Sequence, residues 1–168
     1  MTVLGPDRLG ILASLSETIY AHGGSWLESR LTRYAGQFAG ILRFDCPDEK
    51  QEKLLEVLNA LEDLKVQIVK ESNVPHRIVK PLNFEVHGHH RPGIVRSIAS
   101  VIARIGGNLE ELSTERVAAP QPGHFLFRTI GRVAVMQDFD GEKLERLLQG
   151  LGSDLTITVE EASIATAA

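Results

Sequence analysis

Two stretches of this chain put one small set of groups around a glycine-bounded turn. The first, "GPDRLGILASLSETIYAHGGSWLE", runs from Gly5 to Glu28, and the second, "GHHRPGIVRSIASVIARIGGNLEE", runs from Gly88 to Glu111. At an offset of 83 residues they share Gly5/Gly88, Arg8/Arg91, Gly10/Gly93, Ile11/Ile94, Ser14/Ser97, Ile19/Ile102, Gly23/Gly106, Gly24/Gly107 and Glu28/Glu111. A turn that opens a helix can bind a small anion, because the first-turn N–H groups have no partner inside the helix and lie at the positive end of its dipole. Gly10 and Gly93 are placed in the first helical turn, where a missing side chain lets a carboxylate or another backbone approach. Gly5 and Gly88 supply the backbone freedom that a tight strand-to-helix turn asks for. The plainer alternative is that these glycines only shape the turn. Gly23-Gly24 and Gly106-Gly107 are expected to end the first helix of each copy.

Other groups near the turns offer the same choice between a structural and a binding role. Asp7 is either an N-cap or a partner for a ligand amine. Pro92 suits the first helical turn, since its missing N–H breaks no helical bond, and Leu9 holds the equivalent place. His87, His89 and His90 form an H-x-H-H cluster that reads either as a metal site or as a polar turn. Alternation puts His87 and His89 on one face only if the strand runs on through Gly88, and no cysteine or clear fourth ligand accompanies them. Neither a metal nor a cofactor is assigned. "GPDRLGILAS" lacks the G-K-[ST] ending of a phosphate loop, and Ser14 is too deep in its helix to be an elbow nucleophile. Glu28 and Glu111 recur without a histidine nearby in sequence. The chain is therefore read as non-catalytic.

Composition narrows the partners. The 168 residues carry a formal charge of −4, with 43% hydrophobic and 24% charged residues, as in an ordinary globular protein. An acidic balance, few aromatics and the lack of a separate DNA-reading helix argue against direct nucleic-acid contact. No apolar run approaches the ~18–20 residues that span a bilayer, and "MTVLGPDRLG" lacks the regions of a signal peptide. The expectation is a cytoplasmic protein with no membrane contact. The single cysteine, Cys46, fits a reducing compartment and a packing role.

The elements that must hold the turns follow from periodicity. In the first copy a strand over 2–4 precedes the turn, and Leu12, Leu15 and Ile19 recur at helical spacing. Runs over 26–34 and 37–45 flank Ala35-Gly36 as a hairpin. Leu54, Leu58 and Leu61 line a second helix, and Leu64, Val66 and Ile68 alternate in a last strand. The second copy repeats the order with a strand over 82–86, a helix carrying Val95, Ile98, Ile102 and Ile105, strands near 108–117 and 125–135, a helix in "DGEKLERLLQGL" and a strand through Leu155, Ile157 and Val159. Its hairpin carries the insertion "AAPQPG". Each copy is βαββαβ, which implies an α+β fold of two ferredoxin-like units, each a four-stranded antiparallel sheet with two helices on one face. The expected boundaries are a unit at 1–71, a linker at 72–81, a unit at 82–162 and a flexible tail at 163–168. Units this small favour association, so a homo-oligomer is expected.

"GPDRLGI", the helix, "HGGSWLESR" and "LTRYAGQFAGILRF" resemble the ACT-domain proteins, and specifically the tandem ACT-domain, glycine cleavage system transcriptional repressor-like family. The resemblance covers nearly the whole chain, and "GGSWLESRLTRYAGQFAGI" is its more specific part. It implies regulation rather than catalysis: binding of a small effector, an amino acid such as glycine, and action on glycine-cleavage transcription through a partner activator protein. A metabolic amino-acid sensor without a transcriptional role is the alternative. In amino-acid-binding relatives the strand-to-helix turn meets the segment after the glycine pair of a neighbouring unit. Carried over, this sets Gly5, Pro6, Asp7, Arg8, Leu9, Gly10 and Ile11 opposite Asn108 and Leu109, and Gly88, His89, His90, Arg91, Pro92, Gly93 and Ile94 opposite Ser25 and Trp26. Leu9 stands where the family pattern has proline, and His89-His90 where an acid or amide is usual.

Overall fold

The computed structural model describes residues 1–70, 79–118 and 125–162. Two compact units divide the chain, 1–74 and 75–168, and each is described by itself. The first contains β1 (Thr2–Pro6), α1 (Ile11–Ala21), β2 (Ser25–Tyr34), β3 (Gln37–Asp45), α2 (Asp48–Asn59) and β4 (Lys65–Gln67). The second contains β5 (Val79–His89), α3 (Ile94–Arg104), β6 (Asn108–Ala118), β7 (Phe125–Met136), α4 (Gly141–Gln149) and β8 (Thr156–Glu161). Both sheets are antiparallel, in the orders β2-β3-β1-β4 and β6-β7-β5-β8. This is the expected α+β, ferredoxin-like βαββαβ layout, twice over. The strand that leads into each turn lies inside its sheet, paired on both sides.

Each unit has its own core. In the first, Val3, Phe38 and Leu42 from the sheet meet Ile11, Leu15 and Ile19 of α1 and Leu54 and Leu58 of α2. In the second, Leu82, Phe84, Val86, Phe127 and Val133 meet Ile94, Ile98, Val101 and Ile102 of α3 and Leu144 and Leu148 of α4. Each such side chain contributes about 1.5–3 kcal/mol when fully buried, which the backbone entropy of ordering largely offsets. The helical stripes depart from expectation in the same way in both copies. Ile11 and Ile94 are buried, while Leu12 and Val95 are 47% and 39% exposed. Periodicity alone cannot choose between adjacent apolar residues at the start of a stripe, and the docking angle of the helix makes that choice. Leu61 lies beyond the end of α2 and only partly packs on the core.

The glycine pairs do what the sequence implies. Gly23 N–H donates to the Tyr20 carbonyl at 2.9 Å and Gly24 N–H to that of Ile19 at 2.8 Å, with Gly23 at φ +79°. Gly106 N–H and Gly107 N–H reach the Ala103 and Ile102 carbonyls, both at 3.0 Å, with Gly106 at φ +72°. Both are Schellman closures, which favour glycine in the left-handed position. Ala35 and Gly36, at φ +48° and +77°, make the two-residue turn between β2 and β3. In both units a bulge lies just past the glycine pair, between Trp26 and Glu28 and between Leu109 and Glu111.

Four expectations need correction or fall outside the described residues. β5 begins at Val79, so the last three residues of the expected linker are strand. The rest of that linker from 72, the expected tail at 163–168 and the "AAPQPG" insertion after Ala118 lie outside the described residues. Gly5 and Gly88 sit inside β1 and β5 and are not among the positive-φ glycines, so they do not provide turn freedom. They provide room. A Cβ on Gly5 would collide with the Asp63 carbonyl, and one on Gly88 with the Leu155 side chain.

Gly5→Ala and Gly88→Ala are accordingly expected to destabilise their units by about 1–3 kcal/mol or more through overpacking. Gly150→Ala is the control. Gly150 sits at φ −63°, and its added Cβ would lie 3.4 Å from the nearest atom, an ordinary contact, so this change should be neutral or slightly stabilising. Urea unfolding of the three variants decides, and equal midpoints for Gly5→Ala and Gly150→Ala would refute the close-approach account.

Candidate functional site

The two turns have one backbone design. Gly10 and Gly93 are the N-caps of α1 and α3, at φ +80° and +85°, and neither helix has a side-chain cap. This corrects their expected placement in the first helical turn. It also corrects Asp7, which does not cap α1, and Pro92 and Leu9, which precede the cap. The helices close identically, with Ser14 N–H to the Gly10 carbonyl and Ser97 N–H to that of Gly93, both at 2.9 Å. A Cβ at either glycine would meet nothing within 4 Å, so the left-handed backbone, not crowding, calls for glycine here. What results is an uncapped helix N-terminus with open space above its cap, a geometry suited to a carboxylate.

The charged residues of the turns are tied down. Arg8 pairs with Asp63 at 3.1 Å, and its counterpart Arg91 pairs with Asp154 at 3.2 Å and donates to the Leu151 carbonyl at 2.6 Å. These arginines brace the turn against the loop that leads to the last strand. Sequence reasoning missed Asp63 and Asp154, although "EDLKV" and "SDLTI" carry the same Asp-Leu step before the last strand of each copy. Asp7 is held by Arg33 at 2.8 Å, and its N–H donates to the Gly36 carbonyl at 2.9 Å. In the second copy His90 stands in its place and Arg116 in that of Arg33. Arg116 lies 4.1 Å over the Phe125 ring, while the His90 ring lies 6.4 Å from that of Phe127. The Arg116–Phe125 contact is a cation–π pair.

The remaining candidates divide by burial. Pro6, Leu9 and Pro92 are exposed, Leu9 completely, whereas Ile11 and Ile94 belong to the cores. Trp26 and Leu109 pack partly on their own cores, and Ser25 and Asn108 are exposed. Within one unit, a turn and its own post-glycine segment lie at opposite ends of the sheet. Pro6 pairs with Gln37, and Ser25 with Asp45 at the other end of the same strand. Likewise His89 pairs with Leu126 while Asn108 pairs with Ala134.

β5 does continue through Gly88 to His89, so His87 and His89 share a face. Their partners differ. His87 Nε2 lies 2.8 Å from Glu85 Oε1, and His89 Nδ1 lies 3.6 Å from Asp154. Among the described residues no group of three His, Cys, Asp or Glu side chains is arranged to hold a metal ion. Glu85 Oε1 also accepts from Arg128 Nε at 2.5 Å, and Arg128 reaches Glu115 at 2.8 Å, a chain across β5, β7 and β6. The hydrogen bond from Arg128, then that from His87, holds the Glu85 carboxyl below the usual carboxylate range. Burial alone would raise Asp154, but its backbone hydrogen bonds, together with Arg91 and His89, hold it low.

Residues 1–70 match the model of the ACT domain family. The chain is similar to a protein of unknown function from Galdieria sulphuraria, with 27% identity, a TM-score of 0.82 and 96% of each chain covered. It also shares its fold with a protein proposed to be a glycine cleavage system transcriptional repressor, with 15% identity, a TM-score of 0.65, and 96% of this chain and 95% of that one covered. Among curated proteins none matches the sequence. No helix among the described residues is long and apolar enough to cross a membrane.

The lowered Glu85 pKa sets a direction for pH dependence. A folded-state pKa below the unfolded value adds stability that is complete above that unfolded value, about 4.3, and is lost as pH falls through the folded value. Wild-type protein should therefore lose stability more steeply on acidification below about pH 4.5 than Glu85→Gln. Urea midpoints across pH 3–7 test this, and parallel curves would count against the carboxylate's role.

Proposed function

We propose that this chain, which belongs to the ACT-domain proteins through its first unit and repeats that fold in its second, is a non-catalytic regulatory protein that senses a small effector at its turns. The observation that carries the reading is the repeated entry to α1 and α3: a left-handed glycine cap, no side-chain cap, and open space above the cap. The effector proposed is an amino acid, with glycine the first candidate. Its carboxylate would take the first-turn N–H groups, and polar residues of the turn and of a facing segment would read the rest. A ligand that prefers one arrangement of the protein shifts the population toward it, so binding energy becomes regulation.

The transcriptional part of the proposal rests on the resemblance of "GGSWLESRLTRYAGQFAGI" to the repressor-like family and on the fold shared with the protein proposed to be such a repressor. The formal charge of −4 disfavours a direct phosphate-binding role, so the reading passes through a partner regulator. The bracing of the second turn supports a binding role in a simple way: Arg91, held by Asp154 and the Leu151 carbonyl, keeps that helix entry still before any ligand arrives, which lowers the ordering cost of binding.

A thermal-shift panel across the amino acids is the primary test, because a ligand that binds only the folded form at 100 times its Kd adds about 2.7 kcal/mol. The discriminating variants are Gly10→Asn and Gly93→Asn. Valine would strain the left-handed backbone, whereas asparagine tolerates it and still fills the open space. The expected result is loss of the shift with little change in the ligand-free Tm; an unchanged shift in both variants removes the helix entries as the site. In gel mobility assays, the pure protein should leave promoter DNA unretarded and alter the mobility of an activator–DNA complex. Tight, salt-sensitive DNA binding by the isolated chain would overturn the adaptor reading.

A further inference from the structure

The two turns share a backbone design but not its support, and the difference lies in the segment behind each one. In the second unit the loop at 150–155 is held from several directions. Gln149 Nε2 donates to the Leu155 carbonyl at 2.8 Å and to that of Gly152 at 3.2 Å, and Arg91 donates to the Leu151 carbonyl and pairs with Asp154. Glu142 N–H is capped by the Asp140 side chain, and the six-residue β8 pairs with β5 from Thr156 to Glu161. Past its end, Ala162 N–H donates to the Pro81 carbonyl at 3.0 Å, and Lys80 pairs with Glu161.

Among the described residues the first unit keeps the backbone bonds of this loop, Leu61 N–H to the Leu58 carbonyl and Leu64 N–H to that of Leu61, but has fewer side-chain contacts around it. Its loop at 60–64 follows a helix whose N-cap, Pro47, offers no side-chain bond, and leads into the three-residue β4, which pairs only with Thr2, Val3 and Leu4. The side-chain brace from the turn is the Arg8–Asp63 pair, whose side chains are 45% and 59% exposed. An exposed pair of that kind is screened by solvent and adds little. The residue after Leu58, in the place that Gln149 takes after Leu148, is Asn59, and among the described residues its side chain makes no bonds like those of Gln149 to the following loop.

We propose that residues 60–67 of the first unit form a release segment: it opens locally while the equivalent 150–161 segment of the second unit stays closed. Opening detaches Asp63 from Arg8 and withdraws the loop carbonyl that Gly5 was shaped to approach. The first turn is then adjustable and the second is preformed. Local openings of this sort draw on the least-paired elements of a structure and occur well below the free energy of global unfolding. The inference concerns the fold and holds whether or not an effector binds the turns.

Hydrogen exchange on the full chain, read by mass spectrometry without any ligand, tests it. Backbone amides of the β1–β4 ladder should show protection factors lower by on the order of tenfold or more than those of the β5–β8 ladder. Protection within a factor of ten in the two ladders, or the reverse order, overturns the proposal. In Gln149→Ala the β5–β8 ladder should move toward the faster exchange of β1–β4. No acceleration there would refute the account of bracing given for the second unit.

Discussion

In each unit the strand that carries the turn passes close to its sheet neighbour's incoming loop, and a glycine makes room there, for a backbone carbonyl at Gly5 and for a buried leucine side chain at Gly88. Gly5 against Asp63, and Gly88 against Leu155, set how near the loop before the last strand can come. From that approach the rest follows in order. The last strand can pair with the central one, Leu64 or Leu155 can enter the core, and an aspartate arrives beside the arginine of the turn. The turn is thus fastened from behind by the same contact that completes the sheet. A glycine cap then sends the chain into α1 or α3 with its first N–H groups uncapped by any side chain.

The two copies keep this constraint and differ around it. The second unit has longer central and last strands, a helix cap and a glutamine brace, while among the described residues the first has one exposed ion pair behind its turn. In front of the turn the difference runs the other way. Asp7 and His90 both donate their N–H to the hairpin backbone, but the Asp7 side chain is held to Arg33, whereas the His90 ring has an aromatic neighbour and Arg116 stacks on Phe125. Duplication with this kind of divergence gives two helix entries of one geometry in two electrostatic settings.

The open face of the second sheet shows how polar residues occupy a surface that the helices leave bare. Glu85, Arg128 and Glu115 link three strands, with His87 on the same carboxylate oxygen. Arg132 lies 4.0 Å from Glu111 just past the β6 bulge, as Arg43 lies 3.2 Å from Glu28 past that of β2. The glutamates repeated in the sequence are thus surface partners of cross-strand arginines. Their recurrence reflects the bulge geometry shared by the two sheets.

Much of the architecture was legible because it rests on local chemistry. Alternation, helical spacing and glycine pairs mark βαββαβ twice, and the Schellman closures at Gly23 and Gly106 follow from residue type alone. The 83-residue offset identifies the two turns as equivalent before any coordinate is known. Long-range geometry decided the rest. Whether Ile11 or Leu12 faces the core depends on the docking angle of a helix, and the work of Gly5 depends on a loop some sixty residues away. Asp63 and Asp154 became visible only when the last strands paired, since neither lies near its arginine in sequence. Pattern records what a residue does to its neighbours along the chain, whereas a site is made of residues that only packing brings together.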